Sequence, residues 1–130
     1  MSNNKTSIQR HAKKLEELLA ELKLKGNLIG VMLVSREGNV VSNNFKRDID
    51  KTTFSAMCAL AIESADTLRD ILSEGTSLKI ITELNNCSII LMKCSNALFL
   101  VFFVGNSSNM DPVIDKIDDY IKKIILLYTT

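Results

Sequence analysis

At 130 residues with 46% hydrophobic content, the chain has material for one domain with a full core. Its 16 basic and 15 acidic residues leave a formal net charge of +1, which excludes a nucleic-acid binder working through a broad positive field. Aromatic residues make up 5% and Trp is absent, so no stacking platform for bases is on hand either.

No basic segment leads into an apolar run at the start, and the longest apolar run, residues 97–104, is far short of a bilayer span. The reading is therefore cytoplasmic, with no direct membrane insertion. Cys58, Cys87 and Cys94 form no CxxC pair, and His11 is the one histidine. A structural zinc site takes four closely paired Cys or His ligands, so neither metal nor cofactor is expected. The cysteines read as small apolar residues in a reducing compartment.

Residues 1–5 are polar and expected to fray. Thr6 and Gln9 have the spacing of a capping box. The helix behind them places Ile8, His11, Ala12, Leu15, Leu18, Leu19 and Leu22 on one face and ends at Gly26. His11, on the edge of that stripe, reads as a partly solvated flank. Residues 28–35, LIGVMLVS, are apolar on both alternating sets, as in a strand buried on both faces. Arg36-Glu37-Gly38-Asn39 is a turn, and residues 40–43 complete a hairpin. A polar connection follows, in which Asp50 or Thr52 can cap the next helix.

Residues 52–74, TTFSAMCALAIESADTLRDILSE, run without Gly or Pro up to Gly75, which reads as a left-handed cap. Phe54, Met57, Cys58, Ala61, Ala65, Leu68 and Leu72 recur at three- and four-residue spacing. Ala56, Ala59, Leu60, Ile62 and Ile71 lie off that stripe yet are apolar too. A helix on a monomer needs one apolar stripe. This one has material for two, one for a sheet and one for a partner, most simply a second copy.

Residues 76–83 read as an edge strand, 87–93 and 97–104 as two more, the last apolar throughout and so central. Asp111 as N-cap and Pro112 at the first helical position open a final helix with Val113, Ile117, Tyr120, Ile121, Ile124 and Tyr128 on its stripe. Short connections between neighbouring strands imply antiparallel pairing. The expected fold is α/β of the α+β type over a single domain, residues 1–130. A five-stranded, mainly antiparallel sheet carries the long helix on one face and the N- and C-terminal helices on the other.

The segment LEELLAELKLKGNLIGVMLVSREGNVVSNN, the long Ala- and Met-bearing helix ending at Gly75 and the paired strands through Val104 resemble the Roadblock / dynein light chain family, a relative of longin and profilin-like folds. The resemblance covers about residues 7–128. It departs at Asn43-Asn44-Phe45, where the family often keeps a small, Gly-rich edge. What it implies is pairing through the long helix and the strand after it, which joins two sheets into one. Carried onto this chain, the pairing surface falls on Phe54, Met57, Cys58, Ala61, Ala65, Leu68 and Leu72, then on Leu78, Lys79, Ile80, Ile81 and Thr82. The partner is the chain itself or a paralogue. The resemblance also implies association with a small Ras-like GTPase, as activator, scaffold or exchange-factor subunit, or with dynein.

Catalysis has little to stand on. No P-loop, GxSxG or HExxH is present. Asp48 with Asp50, and Asp118 with Asp119, read as solvated charge. Arg36 and Arg47 lie on loops from which an arginine finger could reach a phosphate, but a lone exposed Arg is more often a surface charge. The chain reads as an interaction module, not an enzyme. The alternatives are a PAS- or GAF-like ligand sensor, which requires a pocket on the sheet, and a motor-associated structural light chain.

Overall fold

The computed structural model describes residues 2–73, 75 and 79–129, with side chains from residue 11 onward. Among these the elements are α1 (Ser2–Gly26), β1 (Gly30–Ser35), β2 (Val40–Asn44), α2 (Lys51–Leu72), β3 (Lys79–Glu83), β4 (Ser88–Lys93), β5 (Leu98–Val104) and α3 (Asp111–Thr129). The strands form one five-stranded sheet in the order β2-β1-β5-β4-β3. All four pairings are antiparallel. The expected fold class is therefore the observed one.

The two strands that are apolar on both alternating sets sit together inside the sheet. Every residue of β1 is buried, and of β5 only Val104 is partly open. Alternate side chains of these strands serve different layers. Val31, Leu33, Leu98, Leu100 and Phe102 meet Leu15, Leu19 and Leu22 of α1 and Val113, Ile117 and Ile124 of α3. Met32, Val34, Phe99, Val101 and Phe103 meet Cys58 and Ile62 of α2.

Element ends follow local chemistry, and several differ from expectation. α1 takes in Ser2 to Lys5, read from sequence as frayed, so Thr6 lies inside the helix and is not its N-cap. At its other end the left-handed residue is Asn27 (φ 49°), not Gly26. Leu28 N–H donates to the Lys23 carbonyl and Asn27 N–H to that of Leu24, the paired bonds of a Schellman stop. α2 is capped by Asp50, whose carboxylate accepts from Thr53 N–H at 3.1 Å and from the Thr53 hydroxyl at 2.6 Å. It ends at Leu72, with Ser73 in the left-handed region (φ 54°) and its N–H on the Arg69 and Asp70 carbonyls. The cap thus falls two residues before Gly75. Glu74 and residues 76–78 lie outside the described residues, among them Leu78 of the expected pairing surface. α3 also starts early. Asn109 Oδ1 accepts from Asp111 N–H, and Ile114 N–H donates to the Met110 carbonyl, so Asp111 is already helical.

Two glycines carry the hairpin. Gly38 closes the β1–β2 turn at φ +90°, and a Cβ there would stand 3.0 Å from the Ala56 Cα. Gly30 makes room for a ring, since a Cβ on it would stand 2.6 Å from Phe45 Cδ1. That is how the bulky departure at Asn43-Asn44-Phe45 is accommodated. Phe45 is buried, stacked on Phe103 at 3.8 Å between centroids. Its N–H and carbonyl are both held by the Asn43 side chain.

Gly38→Ala should cost about 1–3 kcal/mol, because strain at positive φ adds to a contact with helix backbone that cannot yield. Gly75→Ala, at a position with nothing within 4 Å of a new Cβ, should stay within about 0.5 kcal/mol. Urea unfolding midpoints of the two variants check the pair.

Candidate interaction surface on α2 and β3

α2 meets the sheet through a narrow strip. Its buried residues are Ser55, Cys58, Ile62 and Asp66, at helical spacing along one line. Phe54, Ala59 and Ala61 flank the strip and pack partly against the same core. Cys58, placed on the pairing surface by the family resemblance, is 6% exposed and packed in the core beneath α2. It is therefore withdrawn from any outer contact. Ile62, read as off the stripe, is in fact its core residue. The displacement has a simple cause. The sheet-facing line contains Ser55 and Asp66, and a count of apolar spacings skips over both.

The outer line is the second apolar face. Met57, Leu60, Leu68, Ile71 and Leu72 are all exposed, Ile71 at 72%. Met57, Leu60, Ser64, Leu68 and Ile71 follow one another at three- and four-residue steps, the spacing of a helix-pairing seam. Ser64 is the small residue at its middle. It lies in a shallow groove with Leu60, Glu63, Thr67 and Leu68. Ala65 is half-buried beside it. Leu60 and Ile71 belong to this face although they were not among the expected pairing residues, and the same spacing would have found them.

Beyond α2 lies the sheet edge. β3 is hydrogen-bonded to β4 alone, so its far side is an open edge among the described residues. Lys79, Ile81 and Thr82 are exposed, and Ile80 is half-buried under α2. Ile81 pairs with Ile90, whose side chain packs on the α1/α3 core, so Ile81 lies on the opposite face of the sheet from α2.

The charged cluster at Asp66 is the feature that spacing alone did not bring together. Its carboxylate is 2.7 Å from Arg36 Nη2 of the β1–β2 turn, 3.4 Å from Arg69 Nη1 and 3.7 Å from Lys93 Nζ of β4. Arg69 also holds Asp70 at 2.9 Å. Burial pushes the Asp66 carboxyl up. The charges of Lys93, Arg36 and Arg69, with the Arg36 hydrogen bond, outweigh that and hold it below the usual value. Arg36, one of two candidate arginine fingers, is thus engaged within the fold. Arg47 is exposed on the β2–α2 connection. Asp50 serves as a cap, and Asp48, Asp118 and Asp119 are exposed.

The remaining chemistry is quiet. Burial raises the Cys58 thiol to about 11 and the Cys94 thiol to about 12, so neither is a thiolate at neutral pH. Among the described residues no group of three or more His, Cys, Asp or Glu is placed to hold a metal ion. Among them no helix is long and apolar enough to cross a membrane. His11 is half-buried and lines a small groove with Leu15, Val41, Leu127 and Tyr128.

A carboxyl held below its ordinary value stabilises the fold above that value, and the contribution is lost as pH falls through the lowered one. Stability should therefore decline on acidification below about pH 4. Asp66→Asn should cost about 1–3 kcal/mol at pH 7, reduced from a fully buried pair by the partial solvation of its partners. The same variant should flatten the acid limb, as read by urea melts from pH 7 to pH 3.

The structure is similar to Myxococcus xanthus MglB, with a TM-score of 0.80 and 18% identity, covering 90% of this chain and 97% of that one. It is similar to a Roadblock/LC7 domain from Streptomyces avermitilis, with a TM-score of 0.79 and 13% identity, covering 88% and 98%. It is also similar to the gliding protein MglB of Thermus thermophilus, with a TM-score of 0.79 and 12% identity, covering 90% of each chain. No curated protein matches the sequence. The model of the Roadblock/LC7 domain matches residues 14–103, from the middle of α1 to Phe103 of β5, and so takes in α2 and all but the last residue of the sheet. The chain belongs to the Roadblock/LC7 domain family.

Proposed function

We propose that this chain is a non-catalytic interaction module that pairs with its own copy, or with a paralogue, and presents the pair to a small Ras-like GTPase. The observation that carries the reading is the outer face of α2. Five large apolar side chains, Met57, Leu60, Leu68, Ile71 and Leu72, stand in solvent along α2, a helix that also contacts β3 with its open edge. Apolar surface of this kind next to an unpaired edge is an aggregation hazard that folded chains cover. Pairing of like with like covers both at once, and a patch that meets itself does so about a two-fold axis.

Of the expected pairing residues, Met57, Ala65, Leu68 and Leu72 remain on the outer face, with Lys79, Ile80, Ile81 and Thr82 at the edge. Leu60 and Ile71 join them. Phe54 and Ala61 serve the sheet contact first. Family membership supports the GTPase side of the reading, and the fold shared with the two MglB structures agrees with it. The ligand-sensor reading loses ground, because both faces of the central strands are filled by α1, α2 and α3. A cytoplasmic setting follows from the same partner class.

Light scattering at micromolar concentration tests the pairing. Wild type should run as a dimer. Leu68→Glu and Ala65→Glu should be monomeric with unchanged circular dichroism, since an unpaired charge in a desolvated seam costs about 3 kcal/mol or more, at least a hundredfold in Kd. A monomeric wild type, or two dimeric variants, overturns the seam. A pull-down with the GTPase nucleotide state varied tests the second half, and the dimer should retain a GTP-binding protein that the monomeric variants lose.

A further inference from the structure

α2 makes its last buried contact at Asp66. The six residues that follow, to Leu72, contain no buried side chain, yet they carry Leu68, Ile71 and Leu72 of the outer seam. This end of the helix is a cantilever beyond Asp66, the last buried residue before it. Two of the three cations there come from outside α2. Lys93 comes from the end of β4, and Arg36 from the β1–β2 turn.

That turn grips α2 at two points, eleven residues apart. Near the helix start, the buried Ser55 hydroxyl donates to the Gly38 carbonyl at 2.7 Å, and a Cβ on Gly38 would stand 3.0 Å from the Ala56 Cα. Further along, Arg36 reaches Asp66 at 2.7 Å. The turn is itself tied to the central strand region, because Arg36 N–H donates to the Ala97 carbonyl at 2.9 Å. One residue thus bonds the start of β5 through its backbone and α2 through its side chain. Arg36 is 33% exposed at its side chain and the Asp66 side chain 10%, so the pair is reachable from outside but not dissolved in solvent.

We propose that the β1–β2 turn is a two-point clasp in which Arg36, through Asp66, is a positioning residue that sets the angle of the C-terminal third of α2. It thereby governs how well the outer seam pairs. The inference deepens the pairing reading above and rests on it for its consequence, not for its geometry. An acidic group from a partner that drew Arg36 away from Asp66 would release the cantilever, so the clasp couples the turn to the seam.

Hydrogen exchange read by mass spectrometry on the full chain tests the geometry, and light scattering its consequence. In Arg36→Ala and in Asp66→Asn, amides of residues 67–72 should exchange at least tenfold faster. Those of β5 should stay protected, and the dimer Kd should rise about tenfold. Arg36→Lys, which keeps the charge, should recover part of both changes, and Arg47→Ala should change neither. Unchanged exchange at 67–72 in both Arg36→Ala and Asp66→Asn overturns the clasp. So does an increase spread evenly over the sheet, which marks plain destabilisation. If wild type proves monomeric the pairing reading falls, while faster exchange at 67–72 in the monomer still upholds the clasp.

Discussion

The chain leaves its sheet at one edge and re-enters at the other, and α2 is the connection that must bridge them. β2 and β3 are the outermost strands, and the 22 residues of α2 lie between them in sequence. A helix of that length runs about 33 Å, whereas five strands set their outer members about 19 Å apart. The helix is therefore long enough to cross the whole face and to project past it. Its start sits by the β1–β2 turn, where Ser55 bonds Gly38, and its later part lies over β4, where Lys93 faces Asp66.

That crossing makes the two faces of the sheet unequal. α1 and α3 lie side by side over one face and fill it with leucine, valine and isoleucine. A single helix about 10 Å across cannot do the same for the other. On the α2 side Ile80 of β3 and Ile89 of β4 stay partly open. The projecting end of α2 and the bare side of β3 are then neighbours by construction. Apolar residues collect there because topology leaves that corner uncovered in one copy.

A crossing helix with few apolar contacts also needs another means of fixing its angle. In α2 only Cys58 and Ile62 are fully buried hydrophobes, and polar residues stand at either end of the strip. A buried ion pair adds little net stability, but it is directional where packing is not. Ser55 and Asp66 supply that direction. Each is a polar residue in an apolar helix, received by the β1–β2 turn.

How much of this was legible beforehand depends on the range of the interaction concerned. Both-face burial of residues 28–35 and 97–104 is written in unbroken apolar runs, and it called for helices on two sides. The hairpin at Gly38, the Asp50 cap and the excess of apolar residues on the long helix are local patterns that the chain carries in a few consecutive residues. The tertiary structure decided which line of α2 faces in. Cys58 and Ile62 went to the sheet and Leu60 and Ile71 to the outside, in the same arrangement that brings Asp66 to Arg36 and Lys93, residues distant along the chain. It also decided the helix ends, where Ser73 and Asn27, not Gly75 and Gly26, took the left-handed conformation. Spacing reports that a residue is apolar, whereas the face it occupies is set by partners that only folding brings within reach.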